Sequence, residues 1–105
     1  MEKLLWFKQV LENEFDVKVD EKQISYEGNE LYLDEIDESL IPKEFSMGLA
    51  PSLLFETMVF DDEEGTEWIG VIALHPETNE WCLQVILKDG EPVLRKRIEK
   101  ENRND

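Results

Sequence analysis

No lysine or arginine lies between Lys43 and Lys88, yet nine carboxylates fall in that stretch, four of them consecutive at Asp61, Asp62, Glu63 and Glu64. The whole chain of 105 residues carries 26 acidic against 11 basic residues, a formal charge of −15. Such a surface repels nucleic acid and anionic membranes and attracts cations and basic protein surfaces. The deficit is uneven: residues 1–87 hold 21 acids and 5 bases, while residues 88–105 hold 5 acids and 6 bases.

Other absences narrow the field further. The one cysteine, Cys82, can form neither an intrachain disulfide nor a zinc quartet, and this usage suits a reducing compartment. No apolar run approaches the ~20 residues needed to cross a bilayer. The N-terminal residues interleave apolar positions with Glu2, Lys3, Lys8 and Glu12, unlike a signal peptide with its unbroken apolar core. A soluble cytoplasmic protein is expected. The five glycines match no phosphate-loop spacing. His75, the lone histidine, precedes Pro76, and a nucleophilic triad needs such a base beside a Ser or Cys with a third group to orient it. Cys82 reads instead as a small hydrophobe within a strand. No catalytic residue, cofactor or metal site is assigned.

What is present argues for a folded domain. Apolar residues make up 41% and aromatics 10% of the chain, too much bulk for a disordered acidic tail. Leu4, Phe7, Val10, Leu11 and Phe15 recur at three- and four-residue spacing, which predicts an amphipathic helix over 2–15 with Trp6 at the stripe's edge. Val17, Val19, Ile24 and Tyr26 alternate around Asp20-Glu21-Lys22 and predict a short hairpin. Glu27-Gly28-Asn29 reads as a turn, and Leu31–Leu33 as another short strand. Residues 34–52 read as a loop with a helical turn, held to the core by Ile41, Phe45, Met47 and Leu49.

From residue 54 the pattern is clearer. Runs at 54–61, 67–75, 80–88 and 91–98 are β-type and separated by Asp62–Gly65, Pro76–Asn79 and Asp89-Gly90. The last is a two-residue hairpin signal, and short connections require antiparallel pairing. A Pro76–Asn79 loop would place Trp81 nearest Leu74 and Trp68 nearest Leu87, with the two indoles at opposite ends of their hairpin. The expectation is a single α+β domain over 1–98, with an N-terminal helix packed on a mainly antiparallel sheet containing a C-terminal four-stranded meander, and a flexible charged tail at 99–105. Two of the strands are apolar on both faces, so the second face needs segment 31–54, another subunit or a partner to cover it.

The carboxylates supply the candidate site: Asp61, Asp62, Glu63, Glu64 and Glu67 around one turn, and Glu27, Glu30, Asp34, Glu35, Asp37 and Glu38 before it. The spacing is not that of a calcium loop. Charge runs are usually solvated surfaces, but an ordered array could imitate nucleic acid. Arg95, Lys96 and Arg97 form a small basic island, read either as the guard of an edge strand or as a pairing surface for the acidic face of another copy, giving a dimer.

Two function classes follow. One is a non-enzymatic acidic binding protein that engages a basic protein surface by occlusion, the physics shared by inhibitors, immunity proteins, chaperones and nucleic-acid mimics. The other is a small-ligand-binding or enzymatic domain with a pocket between the sheet and segment 31–54. A homodimer through the doubly apolar sheet is a third use of the same surface. No motif ties the chain to a family.

Overall fold

The computed structural model describes residues 2–32, 36, 41–46, 48, 49 and 51–98. Its elements are α1 (Glu2–Glu14), a 3-10 turn (Glu21–Gln23), β1 (Ser25–Tyr32), the short helix α2 (Lys43–Ser46), β2 (Ser52–Asp61), β3 (Glu67–Leu74), β4 (Trp81–Lys88) and β5 (Glu91–Arg97). The five strands form one sheet in sequential order, every neighbouring pair antiparallel. The α+β architecture is the one the sequence pattern predicts. The tail at 99–105 lies outside the described residues.

The expected four-stranded C-terminal meander is β2–β5, and β1 extends it to five strands. Glu27-Gly28-Asn29 does not turn: β1 runs straight through it, with all eight residues registered against β2 from Ser25 opposite Val59 to Tyr32 opposite Ser52. Gly28 and Asn29 favour a turn locally, but pairing along a whole neighbouring strand outweighs that preference. The expected hairpin at 16–26 is likewise absent. Residues 16–20 form an extended strap outside the sheet, whose Val17 and Val19 pack into the core.

α1 lies on one sheet face through a close contact. Tyr26, Met58, Gly70, Ile86 and Leu94 make one cross-strand row. Phe7 sits on its middle member: a Cβ on Gly70 would lie 2.5 Å from Phe7 Cδ1. Only glycine leaves the ring room there. Phe7, Leu11, Met58, Ile72 and Ile86 are fully buried around this contact. Trp6, at the stripe's edge, meets Trp81 edge-on with centroids 6.2 Å apart. Two residues after α1 ends, Asp16 takes a left-handed φ of 58°, and the Val17 N–H donates to the Leu11 carbonyl at 3.0 Å. Short polar residues reach this conformation more readily than other non-glycine residues.

The opposite face buries Leu53, Phe55, Ala73, Leu83, Val85 and Leu87. Ile41, Ile36 and Leu49 pack against them, so segment 31–54 contributes to the cover. The side chain of Phe45, and Met47, expected to do the same, lie outside what is described.

Two bulges adjust the register. Leu74 faces Trp81 as expected, but Ala73 faces Leu83, which makes Cys82 the extra residue. Trp68 is therefore opposite Lys88, one position beyond the expected Leu87. Val93 plays the same part between β4 and β5.

A polar bridge ties α1 to the first two strands. Glu56 accepts from the Tyr26 hydroxyl and pairs with the Lys3 ammonium at 3.3 Å. Desolvation, with the Glu56 carboxylate adding to it, pushes the Tyr26 phenol up to about 12.

Gly70→Ala should cost about 1–3 kcal/mol through overpacking, a fall in Tm of roughly 4–8 °C per kcal/mol. Combined with Phe7→Leu it should cost less than the two single changes together, because the smaller side chain makes room for the methyl; additive losses in thermal melts would contradict the contact. For Tyr26, an unfolded phenol ionises near pH ~10 and the folded one near 12. The stability it contributes is thus intact below ~10 and lost as pH rises from there through about 12. Tyrosinate absorbance should show one late step that Tyr26→Phe removes.

Candidate partner-binding site

The β2–β3 turn is built around one carboxylate. Asp62 Oδ1 accepts the backbone N–H groups of Glu64 and Thr66, each at 2.9 Å. Its Oδ2 accepts the Trp68 indole N–H at 3.0 Å. The backbone closes beneath it, Asp62 N to Thr66 O at 3.0 Å and Gly65 N to Asp62 O at 3.1 Å. Donation from Trp68, then from the Thr66 amide, holds the Asp62 carboxyl below its usual value. Asp62, grouped by sequence with its neighbours as a partner contact, is thus the internal organiser of the turn. Asp61, Glu63, Glu64 and Glu67 are exposed around it.

Trp68 joins this turn to the core. It is nearly fully buried. Phe15 lies against it with centroids 5.1 Å apart, and the Lys88 ammonium sits 5.5 Å from its ring centroid. The first contact brings the end of α1, and the strap that follows, to the acidic turn.

Alternate turns of a meander share an end of the sheet. The Asp89-Gly90 turn therefore stands beside the β2–β3 turn, and they interlock: Asp89 N donates to Glu67 O at 2.8 Å and Glu67 N to Asp89 Oδ1 at 3.0 Å. Asp16 lines a shallow cleft of ≈ 280 Å³ with Glu63 and Glu64. Asp20 lines another, ≈ 400 Å³, with Asp61 and Glu63. Lys18 reaches both. With Glu21 and Glu91 beside them, this end gathers ten carboxylates (residues 16, 20, 21, 61–64, 67, 89 and 91) against Lys18, Lys22 and Lys88. The C-terminus of α1, without a basic residue in its last turn, points its negative pole the same way. Among the described residues no cluster of carboxylate, His or Cys side chains has the arrangement of a metal site.

The sequence grouping divides in space. Asp61, Glu63, Glu64 and Glu67 belong to this end. Glu27 is exposed on β1 opposite Thr57, on the second sheet face. The backbone of Glu30 pairs with Leu54, toward the other end. Asp34, Glu35, Asp37 and Glu38 lie outside the described residues. Asp16, Asp20, Glu21, Asp89 and Glu91 were missed as site residues, although the turn spacing of a meander already implied that Asp89 would join Asp61–Glu67.

Two other places carry chemistry. At the far end, His75 Nδ1 accepts the Glu77 amide at 3.1 Å, and the Cys82 thiol donates to the Glu80 carbonyl at 3.6 Å. Burial, with the charge of Glu80 adding to it, pushes the Cys82 thiol up, away from the thiolate a nucleophile needs. On the second sheet face a half-open apolar cleft of ≈ 170 Å³ lies between the strands and the crossing chain. Phe55, Thr57, Val71, Val85 and Leu87 form its floor, and Ile36 and Ile41 one wall. Among the described residues no helix is long and apolar enough to cross a membrane. Comparison with known protein families, curated proteins and solved structures gives no match for the chain.

Asp62→Asn should keep the fold at neutral pH and lower Tm, because the indole and both amides lose a charged acceptor. The folded carboxyl ionises below the ordinary ~4, so its stabilisation is present above that pH and disappears as pH falls through the depressed folded value. Melting curves of wild type and variant should therefore converge in acid; a constant gap from pH 7 to pH 3 would contradict this role.

Proposed function

We propose that this chain is a small, non-enzymatic acidic protein that binds and covers a basic surface of a protein partner through its carboxylate-rich end. The observation that carries the reading is the convergence of carboxylates from the strap, the β2–β3 turn and the β4–β5 turn at one end of a single sheet. Asp62 and Trp68 hold the central turn in one shape, so its exposed charges are presented on an ordered backbone. Preorganised charge costs less to dock than charge on a loose loop.

The density of charge suggests what kind of basic surface fits. Five strands at ~4.8 Å spacing span about 19 Å, over which ten carboxylates and three lysines are gathered, a net of seven negative charges. Duplex DNA presents about one charge per 1.7 Å of axis, which is of the same order. A surface built to hold nucleic acid is therefore the complement we favour, occluded by a protein that imitates the charge and not the bases. Inhibitors and immunity proteins act in this way, with charge steering raising the rate of association.

The small-ligand reading has less support. The apolar cleft, ≈ 170 Å³, is below the ~300–1,000 Å³ of ordinary ligand sites, and among the described residues that line it Thr57 alone carries a side-chain hydroxyl.

Capture from lysate at low salt, followed by a salt gradient, should yield a basic protein whose release falls within physiological ionic strength. The variant Asp61→Asn/Glu63→Gln/Glu64→Gln/Glu67→Gln should release it earlier and associate about 10-fold or more slowly. None of these four side chains takes part in the internal hydrogen bonds described above, so the fold should survive. Binding indifferent to salt, or equal for both proteins, would contradict the reading.

A further inference from the structure

We infer that the apolar cleft on the second sheet face receives one apolar side chain of the partner, carried on a segment that also presents Lys or Arg to Glu27, Asp61 and Glu67. This rests on the basic-partner reading and adds to it a second, apolar point of recognition.

Sheet register places the parts. On this face Thr57, Val71 and Val85 form one cross-strand row. The next row toward the acidic end is Val59, Ile69 and Leu87, and the row after it is Asp61 and Glu67. Rows on one face are two residues apart, about 6.8 Å. Val59 and Ile69 are half-buried, whereas Asp61 and Glu67 are exposed. The cleft thus leads over a short apolar shelf to a pair of carboxylates. Glu27, opposite Thr57, adds another on the β1 flank.

These three carboxylates orient the occupant: its apolar side chain enters the cleft, and its basic residues point toward β1 and the β2–β3 turn.

Size sets the anchor. A cavity of about 150 Å³ lined by aliphatic side chains accepts a benzene ring, and this cleft measures ≈ 170 Å³. That is room for one leucine, isoleucine or phenylalanine side chain. Interfaces concentrate much of their affinity in a few residues seated in well-packed, desolvated pockets.

The test uses two synthetic peptides of equal length and charge, one alternating lysine with leucine and the other lysine with serine. Both are titrated into the ¹⁵N-labelled full chain at low salt. The lysine–leucine peptide should bind about tenfold or more tightly, the gain from burying one aliphatic side chain. Its largest amide shifts should fall at Thr57, Val71 and Val85. Thr57→Phe, which fills the cleft, should erase the difference between the peptides, and Asp61→Asn/Glu67→Gln should weaken both. If Thr57→Phe does not fold, the shift map of the unaltered protein still decides.

Equal affinity for the two peptides would overturn the cleft inference and leave the charge-based reading standing, whereas failure of both to bind would overturn the two together. Shifts confined to the α1 side would also overturn the inference. So would benzene alone reaching the same amides as tightly as the peptide, which would mark a small-molecule site. Finally, sedimentation showing a dimer that Thr57→Phe dissociates would mean that a second copy fills the cleft.

Discussion

The ring of Phe7 resting on Gly70 is the contact from which the rest of the arrangement follows. Gly70 lies in the central strand, in the same row as the fully buried Met58 and Ile86. An aromatic ring can sit directly on backbone there because no Cβ intervenes. This lowers α1 onto the sheet and fixes where its two ends emerge. Trp6 is carried to Trp81 at one end and Phe15 to Trp68 at the other. The strap that leaves α1 then has to pass the β2–β3 turn, and so Asp16, Lys18 and Asp20 border the acidic clefts.

Trp68 passes that order from core to surface. Its indole N–H is removed from water with the ring and needs an acceptor, since an unpaired buried donor costs about 1–3 kcal/mol. Asp62 supplies one and uses its other oxygen to shape the turn. One of four consecutive acids is spent on structure, and the remaining three are presented outward. Their mutual repulsion is tolerable because they stay in water, where two unit charges 4 Å apart interact by only about 1 kcal/mol. Lys18 and Lys88, both beside Trp68 or the clefts, offset part of it. The basic Arg95–Arg97 stretch closes β5, toward the other end of the sheet, so the charge is divided along the strands.

Much of the fold is legible in the residues. α1 could be read from the spacing of Leu4, Phe7, Leu11 and Phe15, and β2–β5 from runs of β-type residues between unambiguous turns. β1 could not. Its Glu27-Gly28-Asn29 is a turn by local chemistry and a strand only because β2 offers a partner along its full length. The bulge at Cys82 was equally invisible, since no residue there demands it, and it moved Trp68 opposite Lys88. The site was half legible. The run Asp61–Glu64 announces itself, but the division of labour between Asp62 and its neighbours depends on where one indole nitrogen points.

The sequence by itself determined the sign of the charge, the fold class, and the presence of a sheet apolar on both faces, because these follow from composition and short-range periodicity. The tertiary structure decided which carboxylates stand together. It brought Asp16 and Asp20 to the β2–β3 turn, left Glu27 two cross-strand rows away on the second sheet face, and set an apolar cleft two rows from Asp61 and Glu67. The physical reason is that proximity between distant residues is set by strand register and by the seat of α1 on Gly70. Both are properties of packing between elements, which no local pattern encodes.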